Sequence, residues 1–165
     1  MEIFYRIATI EDLKSITELS IFLHGWENNI EDEQENNKLL DKHNTVDLLN
    51  PQMAMFLAYD GDKAVGFSHV GIRHEPMVGK DDVPFGYLES VYVAPDYRKQ
   101  GIAKKLVNMC ENWSKEKECK QFVSGILPDN QDSINFHLQI GFVETCKVVY
   151  LCKVPVLDSE QNFLS

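Results

Sequence analysis

Three features of the chain have residue types suited to chemistry. The first is a basic loop, Arg98-Lys99-Gln100-Gly101-Ile102-Ala103-Lys104-Lys105, which holds four basic residues and no acid in a chain of net charge -10. It lies between an apolar run from Tyr87 to Ala94 and an amphipathic run from Ile102 to Trp113. A strand, a tight turn and a helix start are therefore expected to meet there. The first turn of a helix leaves backbone N–H groups unpaired and carries the positive end of the helix dipole, so it seats phosphate well. Small residues at Gly101 and Ala103 let a phosphate come close to the backbone. Basic side chains are otherwise unfavourable at a helix N-terminus, which implies a compensating anion. The second feature is Glu89, an acid inside the apolar run Tyr87-Leu88-Glu89-Ser90-Val91-Tyr92-Val93. A carboxylate buried there would have a raised pKa and could serve as a general base near neutral pH. The alternative is a residue on the polar face of an alternating strand. The third is His137, a side chain that titrates near neutrality or one that is simply packed on its helix.

The loop is neither a P-loop nor a dinucleotide fingerprint, because a single glycine cannot supply either pattern. Asn130, after Pro128-Asp129, is a candidate helix cap. Trp26 and Glu27, followed by Glu31, Asp32, Glu33 and Glu35, form an aromatic and acidic segment. An acidic run is usually a solvated face, yet this one, like Asp81 and Asp82, could meet a cationic substrate. The cysteines Cys110, Cys119, Cys146 and Cys152 show no metal-ligand spacing and read as free thiols packed as small hydrophobes, so no metal is implied.

The elements that must position these groups follow from periodicity. A first strand spans about 2–8, with a helix from Thr9 to about His24 and a second from about Glu33 to Leu49, stopped by Asn50-Pro51. Met53–Tyr59 and Lys63–Arg73 read as a hairpin around Asp60-Gly61-Asp62. A polar loop over 74–84 precedes a strand from Phe85 to Ala94. The helix from Ile102 buries Leu106, Val107, Cys110 and Trp113 at three- and four-residue spacing. A strand at Phe122–Leu127, a helix at Asn130–Ile140 and a closing strand pair at Phe142–Thr145 and Lys147–Lys153 complete the pattern. That order predicts a mixed α/β sheet of six to seven strands with helices on both faces. The strand–helix–strand unit over about 85–127 requires a parallel pair. One domain is expected over 1–154, with a polar tail over 155–165.

Charge and hydropathy narrow the function classes. With 26 acidic against 16 basic residues, nucleic acid is a poor partner and a cationic substrate a good one. No stretch approaches the roughly 20 apolar residues a membrane span needs. The N-terminal residues lack a signal-peptide pattern, so a cytoplasmic location is the expectation.

The pattern Arg98-x-x-Gly101-x-Ala103 resembles the acetyl-CoA loop of the GNAT family of N-acetyltransferases. Tyr87–Val93, Asp129-Asn130, His137-Leu138-Gln139-Ile140-Gly141-Phe142 and Val148-Val149-Tyr150 make the chain most similar to the aminoglycoside 6′-N-acetyltransferase branch. The resemblance runs from about residue 3 to residue 153. It implies acetyl-CoA as cosubstrate, with Arg98, Lys99, Gln100, Gly101, Ile102, Ala103 and Lys104 around its phosphates. Asn130 and the backbones of Val91, Tyr92 and Val93 would bind the pantetheine arm, one of those N–H groups polarising the thioester carbonyl. It implies Glu89 as the base for the acceptor ammonium, often through water, and His137 as the acid for the departing thiolate, with Tyr150 as a rival. It places the acceptor wall at the segment with Trp26 and Glu27. A homodimer is common in such proteins. One position departs: the branch usually has Ser-Asp where this chain has Ser124-Gly125, and that aspartate helps bind the drug. Acetylation of another amine (a polyamine, an amino acid, a protein N-terminus) and a non-catalytic acetyl-CoA sensor are the alternatives.

Overall fold

The computed structural model describes residues 2–24, 33–75, 77 and 83–154. Its centre is the hairpin of β2 (Met53–Asp60) and β3 (Lys63–Arg73), joined at a tight turn where Gly61 takes φ 57° and Asp60 faces Lys63. β1 (Ile3–Ile7) adds antiparallel to β2, β4 (Phe85–Val93) antiparallel to β3, and β5 (Phe122–Ser124) parallel to β4, giving the order β1-β2-β3-β4-β5. The parallel step requires a crossover, supplied by α3 (Ile102–Glu116).

Both faces of the sheet are covered, which is why β2 is almost continuously apolar rather than alternating. Ala54, Phe56 and Ala58 face α3 and pack with Leu106, Val107 and Cys110. Met55, Leu57 and Tyr59 face the other way and pack with Ile16 and Leu19 of α1 (Leu13–His24). α2 (Glu33–Leu48) packs on α1, and α4 (Gln131–Gln139) brings Phe136 to the α3 side.

The side-chain parity of β4 changes partway along. Leu88 and Val93 both enter the α3-side core although they stand five positions apart, an odd offset that would put them on opposite faces of a regular strand. The register explains this: Val70 faces Leu88 and His69 faces Ser90, so Glu89 has no partner on β3 and is the extra residue of a β-bulge. Beyond Leu88 and Ser124, β4 and β5 have no further register pairs.

The fold has five strands among the described residues, not six to seven. The expected closing strands at Phe142–Thr145 and Lys147–Lys153 are not formed: the chain after α4 makes no ladder, and Tyr150 and Leu151 are 90% and 93% exposed. β5 likewise ends at Ser124 rather than Leu127, because it parts from the strand it pairs with. The other elements fall within a few residues of expectation. The polar tail 155–165 lies outside the described residues.

Asp12 ties the sheet edge to the first helix. It is 6% exposed and accepts two hydrogen bonds from Arg6 at 2.6 Å, one from the Thr9 N–H at 2.8 Å and one from the Tyr59 hydroxyl at 2.9 Å. The Arg6 hydrogen bonds, with those from Thr9 and Tyr59, outweigh desolvation and hold its carboxyl down at about 2. A depressed carboxyl stabilises the fold above its unfolded pKa, and the contribution is lost as pH falls through the folded value. Asp12→Asn is expected to cost about 2 kcal/mol in urea unfolding near neutral pH, with the difference from wild type closing toward pH 2.

Candidate active site

Where β4 and β5 part, a cleft of about 250 Å³ opens, lined by Glu89, Ser90 and Val91 of β4 on one side and by Ser124, Asn130 and His137 on the other. β4 keeps its ladder to β3 here but has no strand partner on the β5 side, so backbone groups of this stretch face the opening. The bulge aims Glu89 into it. Gly71 of β3 leaves room for the carboxylate, since a Cβ at that position would stand 3.1 Å from Glu89 Oε1.

Glu89 is 20% exposed and is held by Arg73, whose Nη2 donates to Oε1 at 2.5 Å. Burial pushes its carboxyl above the usual range, and the Arg73 charge and hydrogen bond oppose that rise without cancelling it. The group is thus a more basic carboxylate than one in water, as a proton acceptor requires. Arg73 also lies over the Tyr87 ring, 4.9 Å from its centroid. The Tyr87 hydroxyl reaches Gly125, where an added Cβ would collide with it. The phenol therefore fills the space that a side chain at position 125 would need, and burial raises its pKa.

His137 is 4% exposed, wedged edge-on between the rings of Phe136 and Phe142. Its Nδ1 lies 2.7 Å from the Ser133 carbonyl, and a carbonyl can only accept, so Nδ1 carries a proton. Nε2 lies 3.0 Å from Ser124 Oγ. Asn130 caps α4, its Oδ1 accepting from the Ser133 N–H at 3.1 Å, and so positions the turn that holds His137.

The basic loop follows β4 directly. Lys99 and Gly101 take left-handed backbone angles, φ 58° and 81°, which turn successive N–H groups toward one side. Gly101 is the N-cap of α3, and no atom lies within 4 Å of where its Cβ would be. No acid occupies the first turn. Lys99, Lys104 and Lys105 are exposed, and none has an ion-pair partner among the described residues. This open, positively polarised turn fits a phosphate chain. Arg98 is partly committed elsewhere: its Nε donates to the Val93 carbonyl at 2.9 Å and its guanidinium lies over Tyr92, which pins the loop to the end of β4. Gln100 bonds the Asp96 carbonyl at 3.3 Å, and Ile102 turns its side chain into the core, leaving only its backbone for a ligand. Tyr92 likewise packs toward α1, stacked on Phe22 at 6.3 Å.

Glu89, Val91, Asn130 and His137 thus meet in one cleft, with the Arg98–Lys104 loop at the end of the same strand. Trp26, Glu27, Asp81 and Asp82 lie outside the described residues. Arg73, Tyr87, Ser124 and Ser133 form part of the site without standing out in the sequence as such. Their only signal was position: Tyr87 shares the Glu89 strand, and Ser124 precedes the anomalous Gly125. Among the described residues no cluster of His, Cys, Asp and Glu could hold a metal, and no helix is long and apolar enough to cross a membrane. Burial pushes the Cys110 thiol up to about 12, so it is inert packing.

A parallel strand pair splayed at a bulge, with a phosphate-fitting turn at the start of the crossover helix, is an arrangement suited to an acyl-CoA. Residues 13–142 match the Acetyltransferase (GNAT) family, and the chain belongs to it. It is an acetyl-CoA-dependent N-acetyltransferase. The aminoglycoside N(6′)-acetyltransferase type 1 of Salmonella typhimurium is 35% identical over 101 residues, which cover 61% of this chain and 70% of that one. The protein of the same name from Acinetobacter baumannii is 41% identical over 98 residues, covering 59% and 67%. Among solved structures, AAC(6′)-Iy in complex with the bisubstrate analog CoA-S-monomethyl-acetylneamine superposes with a TM-score of 0.81 at 26% identity, over 94% of this chain and 100% of that one.

The Tyr87–Gly125 contact is testable by stability. Gly125→Ala is expected to cost about 1 to 2 kcal/mol in urea unfolding through overpacking against the phenol. In a Tyr87→Phe background the same substitution should cost clearly less; an equal cost in both backgrounds would remove the contact.

Proposed function

We propose that the chain acetylates the 6′-amine of an aminoglycoside. The observation that carries this reading is the bulged Glu89 facing the cleft, in a chain 35–41% identical to aminoglycoside N(6′)-acetyltransferases. A net charge of -10 favours the approach of a polycationic acceptor.

The acetyl-CoA cosubstrate supplies a thioester, an electrophile that a neutral amine can attack. The Arg98–Lys104 turn, with Lys99, Gln100, Gly101, Ile102 and Ala103, holds its phosphates, and Asn130 with the Val91, Tyr92 and Val93 backbones holds its arm. These groups contribute position rather than bond chemistry. A backbone N–H of the unpaired β4 edge, from Val91 or Val93, polarises the carbonyl. Glu89 takes the proton from the acceptor ammonium, directly or through water. His137 is the source of the proton that the leaving sulfur requires. Trp26, Glu27, Asp81 and Asp82 belong to the acceptor side in this reading.

A second reading has a specific observation behind it. With glycine at position 125 and the Tyr87 hydroxyl in its place, the site lacks one carboxylate, and Arg73 sets a cation beside Glu89. That suits an amine with fewer positive neighbours, such as a peptide N-terminus or an amino acid.

Release of free CoA thiol decides between them. Turnover of kanamycin but not of an aminoglycoside with a 6′-hydroxyl is expected; turnover of only a peptide or an amino acid would establish the second reading, and turnover of only spermidine would overturn both. Glu89→Gln should lower kcat/KM about 100-fold or more and abolish the rise with pH that accompanies ionisation of its raised carboxyl. An unchanged pH profile would remove Glu89 from the reaction.

A further inference from the structure

His137 is placed to supply a proton but not to deliver it. The ring is 4% exposed, and its Nδ1–H is committed to the Ser133 carbonyl at 2.7 Å. Its remaining nitrogen, Nε2, is already engaged by Ser124 Oγ at 3.0 Å. Ser124 is half-buried on the cleft wall, the last residue of β5 to pair with β4 before the strands part. We propose that Ser124 is the residue that hands the proton to the CoA sulfur, with His137 behind it as the source.

The two protonation states of His137 orient the serine hydroxyl oppositely. With a neutral ring, Nδ1 keeps its proton, so Nε2 must accept and the Ser124 O–H points at the histidine. With an imidazolium, Nε2–H donates to Ser124 Oγ, and the serine O–H is free to point into the cleft. In that state an S–H bond forms as the Ser124 O–H bond breaks, and the serine oxygen regains a proton from Nε2. His137 ends neutral, still donating Nδ1–H to Ser133, and recharges from solvent. The acceptor ammonium gives up two protons, one to Glu89 before attack and one to solvent as the adduct collapses; the second matches the proton that recharges His137, so one proton is released per turnover and no further reactant is needed. Phe136 of α4 and Phe142 beyond it flank the ring without titratable atoms, Ser133 and Ser124 are its polar neighbours, and among the described residues Glu89 is the other titratable side chain lining the cleft.

This rests on the acyl-transfer reading of the cleft and not on the identity of the amine. The test is a titration of the thiol of CoA bound to the full chain, followed by thiolate ultraviolet absorbance, with the desulfo-CoA complex as blank for the protein's cysteines. A Ser124 donor stabilises the thiolate, so the wild-type complex should titrate about one unit below the Ser124→Ala complex, a tenfold difference. Ser124→Thr, which keeps a hydroxyl, should restore the low value. His137→Gln, whose amide N–H can still donate to Ser124 Oγ, should keep the low value with CoA affinity near wild type, while turnover of whichever amine the wild type accepts falls because it carries no proton to replace the one Ser124 gives up. Equal thiol titration in wild type and Ser124→Ala, or undiminished turnover in His137→Gln, overturns the relay. Kanamycin turnover is scored separately: its absence in wild type would fail the acceptor assignment, while the thiol titration alone decides the role of Ser124.

Discussion

A β-strand alternates its side chains strictly, and one unpaired residue reverses that alternation for everything downstream. Glu89 is that residue. Without the bulge, Leu88 and Val93 could not both enter the core beneath α3. The extra residue also bends the strand, and β5 loses its partner immediately afterwards. A single local insertion thus sets the direction of the carboxylate, frees one edge of β4 and opens the cleft between two strands that are bonded only at their base. A ligand's polar arm laid along this edge would satisfy the backbone groups that the missing strand leaves unpaired.

Electrostatics divides the site along the same strand. At its middle, burial raises Glu89 and Arg73 restrains it. At its end, Arg98 clips the loop to the Val93 carbonyl, and the left-handed turns at Lys99 and Gly101 present backbone N–H groups where α3 begins. An acidic chain concentrates positive potential at this one turn, so an anionic cosubstrate and a cationic acceptor are drawn to different ends of the cleft.

The central fold was legible because its signals are local. The Asp60-Gly61-Asp62 hairpin, the apolar spacing of α3 and the glycine-bearing basic loop each report on a few consecutive residues, and the structure follows them closely. Closure of the sheet was not legible. Val148 to Leu151 has the apolar, β-branched and aromatic composition of a strand, yet composition says nothing of whether a partner edge is present, and here none pairs with it. Glu89 stood out as an acid among apolar residues. Arg73 and Tyr87 did not, because their roles arise from cross-strand neighbours and from a collision with the backbone at Gly125. The Ser124–His137 contact spans a strand–helix connection that no short motif encodes.

The most direct test of the splayed-strand cleft is amide hydrogen exchange of the full chain with and without CoA, read residue by residue. Slowed exchange at Ser90–Val93 and at Gly101–Lys105, with β1 and β2 unchanged, is the predicted result. Protection elsewhere, with the β4 amides exchanging at the same rate in both states, would contradict a cosubstrate bound along the free edge that the bulge creates.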